Sequence, residues 1–326
     1  MTELFKIPDA KKIRVIIDTD AACEADDPFA IAHALMSPKL IVKGILAEHF
    51  NEPGSVARSY DEIQTVLSAM GLESEVPVLM GQNGRLDEDE SVSEAARFIV
   101  DEAMRSSSEP WDKKPLYILC QGAITNVAKA LRECPAIKER IIIIWIGTHG
   151  AAVSTTELGD ATATGSAVEY GKQAATAPFR EYNAGNDITA ANEVLESGAE
   201  VWLIPASVYS TITVGLAELK QKVAPYGAIG RHLYDNMIAY NLSERAGWTQ
   251  GESWSLGDSP AIAVAINPGC GKFIYAKAPH VNDDTASAPK AGNPIVRIYT
   301  SVDSRYILED FFAKLQQNYP KPGTNL

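Results

Sequence analysis

The chain has 326 residues, 46% hydrophobic and 22% charged, with a formal net charge of −13, an ordinary globular composition for one large domain or two smaller ones. That acidic balance argues against a nucleic-acid polymer or an anionic membrane as partner and fits a soluble protein that handles a neutral or cationic small molecule. The opening segment MTELFKIPDAKKIRV carries no long apolar stretch and no small-residue cleavage site. Cys23, Cys120, Cys134 and Cys270 are scattered, which fits reduced thiols and a cytoplasmic location better than a disulfide frame or a zinc site.

The elements alternate along the chain. IRVIID (13–18) reads as a β-branched strand, DPFAIAHALMS (27–37) as a helix, LIVKGILAEHF (40–50) as a strand and SVARSYDEIQTVLSAMG (55–71) as a helix closed by glycine. VPVLMG (76–81), PLYILCQG (115–122) and RIIIIWIGTHG (140–150) continue the strands, with helices over 91–107 and 123–134 between them. Residues 151–180, rich in Ala, Thr and Gly, break the pattern and read as an irregular insertion. A helix (186–198), a strand (200–207), two helices (214–227 and 228–247), the segment GDSPAIAVAINPG (257–269), a strand (293–302) and a helix (303–317) follow.

Continuous apolar strands separated by helices predict an α/β fold: an open, mainly parallel sheet with a mixed edge and helices on both faces, in a single domain over 1–326. Such sheets bind ligands beyond the carboxyl ends of their strands. At the end of the first strand, DTDAACEADD puts Asp18, Asp20, Glu24, Asp26 and Asp27 within ten residues, and no Lys or Arg lies between Arg14 and Lys39. Helix capping by Asp18 and Asp20, facing solvent, accounts for one or two of these acids. The rest need counter-charge, and an oxygen-only carboxylate set suits a hard cation, Ca²⁺ or Mg²⁺. An EF-hand loop is excluded, because the central Gly and the spaced terminal Glu are missing. D-x-D after an apolar strand also opens haloacid dehalogenase-type phosphatases, in which Asp18 would be the nucleophile.

Five segments in order, DTDAACEADDPFAIAHAL, GILAEHFN, QGAITNVAKAL, EYNAGNDITAA and GDSPAIA, resemble those of the inosine–uridine-preferring nucleoside hydrolase family, with an aspartate loop two residues longer than usual. The resemblance implies a Rossmann-like nucleoside hydrolase fold and hydrolysis of the N-glycosidic bond of ribonucleosides to ribose and free base. It implies Ca²⁺ held by Asp20, Asp27, Asp258 and the main-chain carbonyl of Gln121, and Asp26 as general base on a water fixed by the metal. Asn183 and Asp26 would bond the ribose hydroxyls, Glu181 the 5′-hydroxyl, and Asn51 the substrate; Asp18 would orient the other carboxylates beside the substrate. It also implies a homodimer or homotetramer.

The pattern departs at Gly257, where such proteins often carry a His that protonates the leaving base. His49, His149 and Trp254 are the candidates for that role or for a contact to the base. A non-catalytic ribose- or nucleoside-binding protein is the alternative reading. Cys23, inside the acidic loop, has no positive partner in sequence and reads as a small side chain rather than a nucleophile.

Overall fold

The computed structural model describes residues 5–150 and 180–321; the insertion expected at 151–180 lies outside these but for its last residue. Twelve strands occur among the described residues: β1 (Ile13–Thr19), β2 (Leu40–Ala47), β3 (Val78–Met80), β4 (Leu116–Cys120), β5 (Ile141–Ile146), β6 (Glu200–Ile204), β7 (Thr213–Gly215), β8 (Ser253–Ser255), β9 (Gly271–Lys277), β10 (Pro279–Val281), β11 (Ser287–Pro289) and β12 (Ile295–Val302). The helices are α1 (Asp27–Leu35), α2 (Ser55–Met70), α3 (Glu94–Met104), α4 (Thr125–Glu133), α5 (Tyr182–Asn186), α6 (Ile188–Glu196), α7 (Ala206–Tyr209), α8 (Leu216–Lys222), α9 (Gly227–Asn241), α10 (Ser259–Ile266) and α11 (Ser304–Asn318).

Eight strands form one sheet in the order β3-β2-β1-β4-β5-β6-β12-β9. Every pairing is parallel except β9 on β12, so the expected α/β sheet with a mixed edge is present. Chain order reverses at β1, which lies between β2 and β4. That is the topological switch point, where a crevice opens beyond the strand ends.

Side-chain alternation explains why the strands are apolar throughout. In β5, Ile142, Ile144 and Ile146 join a core layer with α1, α2, α9, α10 and α11, while Ile141, Ile143 and Trp145 join the opposite layer with α3, α4 and α6. Both faces are covered, so neither can be polar.

Several sequence boundaries differ: the strand expected at 140–150 stops at Ile146, the helix expected at 228–247 at Asn241, and the helix expected at 91–107 spans Glu94–Met104. The segment 214–227 does not run as one helix: Val214 and Gly215 join the β7–β8 ribbon, and the helix is confined to α8. The strand at 40–50 ends at Ala47, because Glu48, His49 and Phe50 turn into the crevice loop.

One charge lies at the far end of β1. Arg14 is 2% exposed, with Nε 2.9 Å from Asp112 Oδ1 and Nη1 donating to the Glu102 carbonyl at 2.8 Å. Removing one member of a buried pair leaves the other uncompensated. Arg14→Leu is therefore expected to lower the unfolding free energy by about 3–5 kcal/mol. A urea midpoint within error of wild type would show that the pair contributes nothing.

Candidate active site

The acidic loop folds into the switch point. Asp18 and Asp20 leave the end of β1, and Asp26 and Asp27 begin α1. Asp258 begins α10, which packs against α1. The two helices start alike: an Asp at the N-cap without a side-chain cap bond, then a Pro in the first turn. Neither Asp26 nor Asp258 is spent on capping, so both carboxylates face the crevice. Asp18, Asp20, Asp26, Asp27 and Asp258 are all at most 6% exposed, which overturns the reading of Asp18 and Asp20 as solvent-facing caps.

Oxygen atoms of Asp26, Asp27 and Asp258 lie within 4.8 Å of one another. Asp27 and Asp258 thus meet as expected for a cation site, and Asp26 is drawn into the same group. Asp20 borders it. A Cβ on Gly122 would stand 3.1 Å from Asp20 Cγ, so only glycine lets the end of β4 approach this carboxylate freely. Gln121 bonds through its main-chain N–H to the Asp18 carbonyl at 2.8 Å and through Nε2 to the Asp258 carbonyl at 3.3 Å, joining β1, β4 and α10.

Burial and mutual repulsion raise the proton affinity of these acids. Burial, then the charge of Asp27, pushes Asp26 up to about 7. Burial pushes Asp27 and Asp18 up to about 6 and Asp20 and Asp258 well above the ordinary carboxylate range. Thr19 donates its hydroxyl to Asp27, and Asn126 Nδ2 donates to Asp18 Oδ1 at 2.9 Å. Asp18 Oδ2, Asp20 Oδ2 and Gln121 Oε1 are buried without a hydrogen-bond partner. Crowded carboxylates with orphaned oxygens fit a hard divalent cation. Asp18, fully buried and held by Asn126, is poorly placed to attack a phosphate ester.

The remaining expected residues lie on the same rim. Asn51 is exposed after β2 with a φ of +60°. Asn183 Nδ2 donates to the Ile146 carbonyl at the end of β5 (2.9 Å). Glu181 is buried; its carboxylate accepts from Ala184 N (2.8 Å), Asn183 N (3.3 Å) and the Tyr209 hydroxyl (2.8 Å). Tyr209 in turn borders Gly257: a Cβ there would stand 3.3 Å from the tyrosine ring and 3.4 Å from Asp26 Oδ2.

The three leaving-group candidates separate. Trp254 is buried against Tyr240 and Trp248, with its indole beside the Asp26 carboxylate. His149 is half-buried beyond β5. His49 is buried, and both of its ring nitrogens are engaged within the fold. The Cys23 thiol donates to the Tyr182 hydroxyl at 3.1 Å, and burial holds it protonated, in keeping with an unreactive side chain.

Sequence reasoning passed over Glu48, Tyr209 and Asp187. Glu48 is fully buried beside Asp18; its carboxylate accepts from the N–H groups of Ile124 (3.1 Å) and Asn126 (3.2 Å) at the start of α4. Burial and the Asp18 charge hold it protonated well above the usual range. The signal was a lone acid at the end of an apolar strand.

A carboxylate-lined crevice at the switch point of a doubly wound sheet marks an enzyme acting on a small molecule. Residues 15–309 match the family model described as inosine-uridine preferring nucleoside hydrolase; the chain belongs to that family and is a hydrolase of N-glycosyl bonds. Similar solved structures include a plant nucleoside hydrolase (18% identity, TM-score 0.71, covering 93% of this chain and 98% of that one). They also include a purine-preferring ribonucleoside hydrolase from Gardnerella vaginalis (21%, 0.71, 94% and 98%) and an inosine-uridine preferring nucleoside hydrolase from Bacillus anthracis (14%, 0.66, 94% and 99%). At these identities the likeness is one of fold. No curated protein matches the chain. Among the described residues no helix is long and apolar enough to cross a membrane.

Titration of the crevice makes a prediction. Asp18, Asp26 and Asp27 hold their protons in the fold up to about 6, 7 and 6, against an ordinary value of 3.8. Between those values the cation-free fold binds more protons than the unfolded chain, so this contribution to stability, complete at low pH, is lost as pH rises through 6–7. The rise in melting temperature on adding a saturating divalent cation is expected to be larger at pH 8 than at pH 6, because fewer protons compete for the carboxylates. An equal rise at both pH values would place the cation elsewhere.

Proposed function

We propose that the chain hydrolyses the N-glycosidic bond of ribonucleosides to ribose and free base, with calcium as its resident cation. One observation carries this: Asp26, Asp27 and Asp258 converge within 4.8 Å at the switch point, on the rim that also holds Asn51, Glu181 and Asn183. Asp20, Asp27, Asp258 and the Gln121 carbonyl would hold the cation. Bound there, calcium would supply a Lewis acid that chelates a vicinal diol and acidifies water.

The chain's own residues account for the rest. Asp26, with a proton affinity near neutrality, suits a general base that takes the proton of the attacking water. The surrounding carboxylates favour the positive charge that builds on the sugar as the base departs. Asn183 and Asp26 would bond the ribose hydroxyls and Glu181 the 5′-hydroxyl, while Tyr209 holds the Glu181 carboxylate in place. Asp18, tied to Asn126, keeps the neighbouring acids oriented.

Gly257 favours a second reading. It leaves the position next to Asp26 without a side-chain acid, and a protein that binds ribonucleosides without turnover would tolerate that loss.

The test is release of reducing sugar from a panel of purine and pyrimidine ribonucleosides with calcium, after chelation, and with Asp26→Asn. Turnover is expected with calcium, lost on chelation and restored by calcium. Asp26→Asn should lower kcat by about 10²–10⁴-fold. Nucleoside binding by the wild type without any release of sugar would establish the second reading.

A further inference from the structure

Asn51 stands in a left-handed backbone conformation at the rim, with φ of +60°. Asn tolerates that region better than most residues, yet it remains uncommon and needs support from its surroundings. The support comes from His49. The Asn51 N–H donates to His49 Nδ1 at 3.3 Å. With Nδ1 an acceptor, the proton of the neutral ring sits on Nε2, which donates to Thr125 Oγ1 at 2.8 Å. The Thr125 hydroxyl donates to Asp187 Oδ2, also at 2.8 Å. Asp187 is itself anchored by Leu86 N (2.7 Å) and Ala190 N (3.0 Å).

We infer that His49 is a positioning residue: through the backbone of Asn51 it fixes the side chain that meets the substrate, and it does not protonate the leaving base. This rests on the ribonucleoside reading above and adds a device to it. The line of bonds runs from the end of β2 through the first residue of α4 to the N-cap of α6. It therefore ties the loop of Asn51 to the segment that carries Asn183, since α5 leads directly into Asp187. Arg85 closes the same corner, with Nε donating to the Asn186 carbonyl at 3.0 Å. His49 is 1% exposed, so its ring is not open to a departing base. Burial, then the nearby charge of Arg85, lowers it to about 4, which agrees with a neutral ring.

The two roles separate by leaving group. A nucleoside base departs with the help of a proton, whereas the phenolate of 4-nitrophenyl riboside departs without one. The experiment measures kcat and KM on inosine and on 4-nitrophenyl riboside, with calcium, for wild type, His49→Phe, His49→Asn, Asn51→Ala and the double variant His49→Phe/Asn51→Ala. His49→Phe is expected to lower kcat/KM by about 10–100-fold on both substrates, the order of loss that follows a small misplacement of a substrate contact. Its split between kcat and KM should match that of Asn51→Ala, and the double variant should be no worse than Asn51→Ala alone. His49→Asn, which keeps an acceptor near Nδ1, should recover most of the loss. A loss on inosine with the aryl riboside spared would make His49 the leaving-group acid and overturn the inference, as would additive losses in the double variant.

Backbone amide exchange at Asn51 reads the same contact without turnover. Protection in wild type that falls in His49→Phe supports the inference, and equal exchange in the two proteins overturns it. A wild type inactive on both substrates would count against the hydrolase reading, while the exchange measurement would still decide the role of His49.

Discussion

Like charges at close range organise this protein. Two unit charges 4 Å apart in a partly buried setting repel by about 4 kcal/mol, and here three carboxylates meet within 4.8 Å while Asp20 and Glu24 border them. Without a cation the fold accommodates them by holding protons, which is why burial and repulsion together carry Asp26 to about 7. A cation bound there would take the same oxygens as ligands and turn the repulsion into attraction. Other features of the crevice follow from the need to hold these groups at such distances. Gly122 admits Asp20 to the end of β4, two helices begin at Asp26 and Asp258 without using them as caps, and Thr19 and Asn126 fix the orientation of Asp27 and Asp18.

The surrounding scaffold bears strain where strands give way to the crevice. Three of the four described non-glycine residues with positive φ, Asn51, Ile124 and Thr148, follow β2, β4 and β5 respectively. For a β-branched residue such as Ile124 this conformation is unfavourable. Glu48 offsets it by accepting N–H bonds from Ile124 and Asn126, so one buried carboxyl secures the turn into α4 and the residue that holds Asp18. The turns at Asn51 and Ile124 and the buried acids Asp18, Glu48 and Asp187 are thus joined through the first residues of α4. That network links Asp18 to the loops on which the expected substrate contacts stand.

Much of this was legible in the sequence, for reasons specific to certain segments. Apolar runs such as IIIIWI can only be strands covered on both faces, and the acids after IRVIID stand at a strand end where parallel sheets bind ligands. The order of strands was not legible, because periodicity says which residues face a core and nothing about which strand lies beside which; the switch point at β1 emerged from the pairing. Glu48 and Asp187 escaped notice since their partners Ile124 and Asn126, and Leu86 and Thr125, are remote in sequence. The antiparallel edge strand β9, mostly exposed and interrupted by no clear alternation, carried too little apolar pattern to be read as part of the sheet. His49 stood out for its position at a strand end, yet its partners Thr125 and Asp187 lie 76 and more residues away and only the fold brings them together.

Calorimetric titration of the chelated protein with calcium tests whether the acid cluster binds a cation. One calcium ion per chain is expected in the wild type, with loss of that binding in Asp27→Asn, which removes one of the three converging carboxylates. Wild-type protein that takes up no calcium, or Asp27→Asn that binds it as the wild type does, would contradict the account.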